Sequence, residues 1–305
     1  MSIGIAALSL SCRAPRPSVV PEDMTLHVDV TPKRLPAGGP LAVSYAWEVG
    51  PAARRLSREY RAFVHFVDPE GILLFSDDHV PEPSVTTWEP GRTYAYRRVV
   101  LSSPFPHTGV VTVLAGLFPA SGPGERLALR GRELKQRAYR VDQIFLLPRD
   151  RDLEPACDGL YGPESSAGAP LAVARFLKRE TTCSFRNPGE DVVVFVHGTI
   201  EPRGFATPPV LTVAAGAVGG EFPLALTREA TVARVRFTAS DLGPRALARM
   251  RLAMSASYVP EAIGQNGDDR ELSLRLFGLR IVRAAALEPA LLEGATSASR
   301  LRAFQ

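Results

Sequence analysis

Two apolar runs joined by a four-residue reversal constrain this chain more than any other feature. Residues 62–67 (Ala-Phe-Val-His-Phe-Val) and 72–75 (Ile-Leu-Leu-Phe) have strand length and composition, and Asp68-Pro69-Glu70-Gly71 lies between them. Pro fixes φ for a tight reversal and Gly accepts φ > 0, so the segment predicts a β-hairpin. A polar loop holding Asp77, Asp78 and His79 follows, then Trp88-Glu89-Pro90-Gly91, then an alternating strand over 93–100. Residues 24–30 set Leu26, Val28 and Val30 against Thr25, His27 and Asp29. Residues 41–49 put Leu41, Val43, Tyr45, Trp47 and Val49 on one side. Both show the period of two that marks a half-buried strand. Residues 108–118 and 138–147 add two more strands, and 124–127 reads as a loop running into a short one. With about seven strands at such spacing and almost no helical periodicity, a sandwich is expected over residues 24–148.

A chain of 305 residues is long for one antiparallel domain, and two are expected. Residues 149–158 read as a charged linker. Strands are then expected at 172–177, 183–186, 192–197, 208–215, 221–226, 230–238, 249–257 and 272–282, with a short helical segment at 245–249. Their order predicts a jelly-roll-like sandwich over 159–283. The Ala-, Leu- and Glu-rich stretch 284–305 reads as a short surface helix or a tail. The expected fold class is all-β, with two antiparallel β-sandwich domains, immunoglobulin-like and then jelly-roll-like.

Charge excludes more than it assigns. The net charge is +4 from 36 basic and 32 acidic residues, nearly all the basic ones Arg. No basic run with interleaved aromatics occurs, which argues against a nucleic-acid partner. Residues 3–10 are apolar but too short to span a bilayer, and they lead into Ser9-Leu10-Ser11-Cys12. This resembles the lipobox of bacterial lipoproteins, although no Lys or Arg precedes the apolar stretch. The resemblance implies a signal peptide over 1–12, a lipid anchor on Cys12, a Pro-containing tether over 13–23 and a bacterial cell-envelope location, periplasmic or at the cell surface. Cys157 and Cys183 remain, the even count expected of an exported protein with one disulfide. Two unrelated buried thiols are the alternative.

Several phrases carry a wider resemblance. Phe63-Val64-His65-Phe66-Val67-Asp68-Pro69-Glu70-Gly71, Trp88-Glu89-Pro90-Gly91 and Ala115-Gly116-Leu117-Phe118 resemble the immunoglobulin-like sandwich of bacterial envelope proteins, including the soluble ends of some membrane glycosyltransferases. Tyr161-Gly162-Pro163-Glu164, Asn187-Pro188-Gly189, Tyr258-Val259-Pro260 and Asp268-Asp269-Arg270-Glu271-Leu272 are similar to carbohydrate-binding-module-like sandwiches. These are turn and core phrases, and they imply fold rather than chemistry.

The candidate sites each have a structural alternative. Val194-Phe195-Val196-His197-Gly198 resembles the oxyanion-hole strand of α/β-hydrolases. That chemistry needs a Gly-x-Ser-x-Gly elbow, which the sequence lacks, so His197 reads as a strand-end residue. His65, Asp77, Asp78 and His79 converge across the hairpin in a set that suits a divalent metal; capping of a solvent loop and an imidazole bonded within the sheet are favoured instead. Trp88, Tyr94 and Tyr96 offer faces for stacking on sugar rings, or Trp88 closes the core. The polar loop with Glu261, Gln265, Asn266, Asp268 and Asp269 suits sugar or Ca²⁺ contacts, or forms a salt-bridged turn around Arg270. The expectation is a non-catalytic envelope lipoprotein that binds carbohydrate, without a cofactor or bound metal. The alternative is a protein scaffold within a secretion, polysaccharide-export or motility assembly.

Overall fold

The computed structural model describes residues 22–301 apart from 105–106, 167–168 and 266. Cys12 with its leader, tether residues 13–21 and Asn266 therefore lie outside the described residues. The first body holds β1 (Met24–Thr31), β2 (Arg34–Pro36), β3 (Pro40–Val49), β4 (Tyr60–Val67), β5 (Leu73–Ser76), β6 (Arg92–Leu101), β7 (Gly109–Pro119), β8 (Glu133–Lys135) and β9 (Ala138–Leu147). One sheet runs β1-β3-β6 and the facing sheet β2-β9-β7-β4-β5, with β8 beside β9. All pairings are antiparallel except β2 with β9. This is the two-sheet arrangement of the immunoglobulin fold. The alternating residues of β1 and β3 point inward and pack against Val64, Phe66, Val111, Val113 and Ile144. The hairpin turn forms as the residues dictate: Ile72 N–H donates to the Asp68 carboxylate at 2.7 Å, and Gly71 takes φ 83°. No strand starts at 124–127; Leu127 N–H instead returns to the Leu117 carbonyl, and Arg126 lies over the Phe63 ring at 4.0 Å.

The second body holds β10 (Ala156–Leu160), β11 (Glu164–Ser166), β12 (Ala169–Arg186), β13 (Val192–Thr199), β14 (Val210–Ala215), β15 (Val218–Pro223), β16 (Thr231–Phe237), β17 (Leu247–Met254), β18 (Arg275–Arg283), β19 (Thr296–Ser297) and β20 (Ser299–Arg300). The expected strands 172–177 and 183–186 are one 18-residue strand, β12. Its early residues pair with β18 and its later ones with β17, so β12 passes from one sheet of the jelly-roll-like sandwich into the other. Lys178, Arg179 and Glu180 are exposed at the changeover, and their polar run mimics a connection. β10 begins inside the expected linker and pairs with β12, placing Cys157 opposite Cys183. Their sulfurs are bonded. The short helix is Ala239–Leu242, closed by a Thr238/Asp241 capping box, and 247–249 already belong to β17. Within residues 284–301 the expected short helix is a single four-residue turn, Pro289–Leu292. After one turn at Pro289–Leu292 the chain adds β19 beside β16 and β20 beside β15.

The two sandwiches share a buried junction. β13 is apolar on both faces because both are covered. Val192, Val194 and Val196 enter the core of the second sandwich. Val193 and Phe195 pack instead with Leu101 of β6 and Ala284. Gly278 permits this close approach, since a Cβ there would stand 2.9 Å from Leu101 Cδ1. The linker is pinned down as well: Asp152 pairs with Arg186 and, at 2.6 Å, with Arg283, while Arg149 meets Glu154 at 2.7 Å. Across the junction, Glu229 accepts from Val80 N–H at 3.0 Å and Arg61 at 2.9 Å. Leu101→Ala is expected to cost about 2–5 kcal/mol, the range for a buried Leu truncation. Chemical denaturation measures this, and a loss below about 1 kcal/mol would mean that the junction carries little packing energy.

Candidate functional site

Asp77 organises the wall where the two bodies meet. It follows the edge strand β5, and its N–H donates to Val64 O at 2.9 Å, which turns its side chain toward the other sheet. There Tyr45 Oη donates to Oδ2 at 2.8 Å, and Arg98 Nε lies 3.0 Å from each carboxylate oxygen. Burial and the adjacent Asp77 charge push the Tyr45 phenol well above its usual range. Burial alone would lower the Arg98 pKa, but the Asp77 carboxylate reverses the direction.

His79 completes the network and is fully buried, 0 % exposed. Its Nδ1 donates to the Asp77 carbonyl at 2.7 Å, since a carbonyl can only accept. Nε2 is then the acceptor for Tyr96 Oη at 2.7 Å, and Tyr96 in turn accepts from Trp47 Nε1 at 3.3 Å. Burial lowers the His79 pKa, consistent with a neutral ring whose two nitrogens are both engaged. Asp78 is also committed, receiving Val64 N–H at 3.1 Å with His65 Nε2 3.5 Å away. The His65, Asp77, Asp78 and His79 cluster thus closes on protein partners. Among the described residues no group of three or more His, Cys, Asp or Glu side chains is placed to hold a metal.

Of the aromatic stacking candidates, Trp88 is interior and Tyr94 and Tyr96 are half-buried. Trp88 is 1 % exposed, with Trp47 at 5.3 Å on one side and Tyr94 stacked at 5.3 Å on the other. Its Nε1 donates to Pro83 O at 2.9 Å. One face of the Tyr94 ring packs on Trp88, and its Oη accepts from Glu89 N–H at 2.8 Å. Tyr96 is spent on His79 and Trp47. Trp88 therefore closes the core rather than offering a face to a sugar, because Trp47 on the neighbouring strand supplies the surface on which it packs. In the second sandwich Asp268 is bound by Arg270 at 2.6 Å, and Arg270 also meets Glu164 at 2.7 Å. The salt-bridged turn is what this loop forms, and Gln265 lies half-buried on it.

A different site emerges at the junction. A cleft of about 570 Å³ opens between β5, the end of β6, and the β12, β13 and β18 side of the second sandwich. Its apolar rim is Ile72, Leu73 and Val173, exposed by 53, 39 and 43 %, with Phe75 and Phe277 beside them. The volume is that of a small-ligand or peptide pocket. Arg98, Arg228 and His197 supply polar groups. His197 touches the Phe277 ring at 5.3 Å and makes no hydrogen bond among the described residues. Its pKa is lowered to about 4, mainly by burial, with Asp77 raising it and Arg98 lowering it. His197 is near the end of β13, as the sequence leads one to expect. The sequence signal for its place at the cleft is the doubly apolar strand before it, which requires a second covering surface and places its last residues at that surface's rim.

No protein-family model matches the chain, and no curated protein matches it. Among solved structures, one of carbohydrate-binding modules of the β-sandwich superfamily is similar at 7 % identity and TM-score 0.21, covering 87 % of this chain and 100 % of that one. A tandem of two CBM22 domains from Paenibacillus barcinonensis is similar at 8 % identity and TM-score 0.25, covering 86 % and 94 %. A collagen adhesin from S. aureus is similar at 5 % identity and TM-score 0.19, covering 86 % and 94 %. Overlays at these scores assign no ligand.

The two lowered imidazoles set a pH dependence. Each is neutral in the folded chain below the pH at which an unfolded His takes up its proton, near 6.5. Their contribution is therefore present above pH 6.5 and lost as pH falls, toward about 4 for His197. His197→Asn is expected to remove up to about 3 kcal/mol of the stability difference between pH 7.5 and pH 4. Thermal unfolding at both pH values checks this, and parallel declines in variant and wild type would contradict it.

Proposed function

We propose that this chain is a non-catalytic binding protein of the bacterial cell envelope, tethered through Cys12, whose ligand sits in the cleft between its two sandwiches. One observation carries the cleft reading: three of the seven large hydrophobics exposed among the described residues, Ile72, Leu73 and Val173, gather at its rim. Clustered exposed apolar surface marks an interaction site, whereas isolated residues do not. The Cys157–Cys183 bridge supports export to an oxidising compartment. The Ser9-Leu10-Ser11-Cys12 sequence supports the tether.

An aliphatic rim favours a protein partner within an envelope assembly. Carbohydrate is the second reading, and it rests on the ring faces of Phe75 and Phe277 set among Arg and Asp side chains in the same cleft. A photocrosslinking amino acid at Leu73, compared with one at Leu247 on the exposed face of β17, tests the reading in the native envelope, beside a glycan array with purified protein. Adducts from position 73 and none from 247, or array binding lost at least about tenfold in Leu73→Asp, is the expected result. Equal adducts from both positions, with array binding unchanged in the variant, would place the ligand elsewhere.

A further inference from the structure

We infer that the cleft seats the extended C-terminal end of a partner polypeptide, its aliphatic side chains against Ile72, Leu73 and Val173 and its free carboxylate on Arg98 and His197. This deepens the cleft reading above and rests on it. The charge balance at the cleft leads to it. The carboxylates that line the cleft are matched, Asp77 by Tyr45 and Arg98 and Asp78 by Val64 N–H. Beside it Glu229 is held by Arg61 and Val80 N–H and Glu201 by Arg203 and Arg228, while Glu82 stands exposed in the adjoining pocket that Arg98 also lines.

The donors are not all matched. Arg98 is fixed through Nε alone, and its two terminal nitrogens carry no hydrogen bond among the described residues. The His197 imidazole has no hydrogen-bond partner there either, and its neutral ring holds one N–H. An apolar-walled seat with spare cationic and neutral donors calls for an acceptor that brings its own negative charge.

The main chain argues that this carboxylate arrives on a peptide. β5 ends its sheet and is hydrogen-bonded to β4 only, so its outer edge offers backbone donors and acceptors to an extended chain. Ser76 interrupts the apolar lining, and a purely aliphatic tail would leave its hydroxyl without a partner. A backbone laid along β5 would not.

The test uses the full chain with Cys12→Ser, and fluorescein-labelled hexapeptides randomised among aliphatic residues at their last three positions. Each peptide is made as the free acid and as the C-terminal amide, and oligo-uronates are used as competitors. Binding of free acids with amides weaker by at least about tenfold, the effect of losing one charge-assisted contact, is expected. His197→Gln and Arg98→Lys, each checked for wild-type thermal stability, should both reduce the preference for acid over amide. Equal binding of acids and amides would overturn the inference. Uronate binding lost in Leu73→Asp, without peptide binding, would overturn it while leaving the cleft as the seat. Peptide binding undiminished in Leu73→Asp would overturn both readings.

Discussion

The second face of Val192–Thr199 is the constraint on which this molecule depends. One face of that strand fills the second sandwich. The other, Val193 and Phe195, would stand in water if the sandwich were alone, and burying a large apolar side chain is worth about 1.5–3 kcal/mol. The first sandwich provides the cover through Leu101, and Ala284 adds to it from the chain beyond β18. Gly278 is part of that solution, because any side chain there would meet Leu101. Once the faces dock, β12 comes close to β5 without hydrogen-bonding to it, and the space their side chains leave open beside the end of β6 is the cleft. Its position thus follows from packing that the second sandwich requires for its own solubility.

A buried charge then shapes the cleft wall. An isolated carboxylate would be costly at the site of Asp77. Tyr45 and Arg98 offset that cost with hydrogen bonds to the carboxylate, and the His79–Tyr96–Trp47 chain anchors the Asp77 backbone carbonyl. Such networks are stable only when every member is satisfied, and here the members come from both sheets of the first sandwich. The arrangement clamps the segment after β5 onto β3 and β6. It also leaves Arg98 held through Nε alone, between the cleft and the smaller pocket beside it.

Much of the fold was legible because alternation is a local property. Met24–Thr31, Pro40–Val49 and the Asp68–Gly71 turn each declare themselves within ten residues. β12 did not, since three exposed polar residues where it changes sheets look like a loop. β10 was hidden because its meaning lies in its partner, the Cys183 segment. The site was less legible than the fold. That His65, Asp77, Asp78 and His79 come together could be read, but their use could not. It depends on Tyr45 and Arg98 arriving from strands whose register the sequence does not state. Trp88 misled for the same reason: a tryptophan in a Pro-bounded loop looks exposed until Trp47 is placed beneath it. The cleft joins residues more than 100 positions apart, and no local pattern announces it.

The cleft exists as a site only if the two sandwiches behave as one body, and differential scanning calorimetry of the whole chain tests this most directly. A shared apolar face, a pinned linker and the Glu229 contacts predict one transition whose calorimetric and van't Hoff enthalpies agree. Two resolved transitions, each of the size expected for a single sandwich, would contradict it, because the cleft would then be a gap between independent domains.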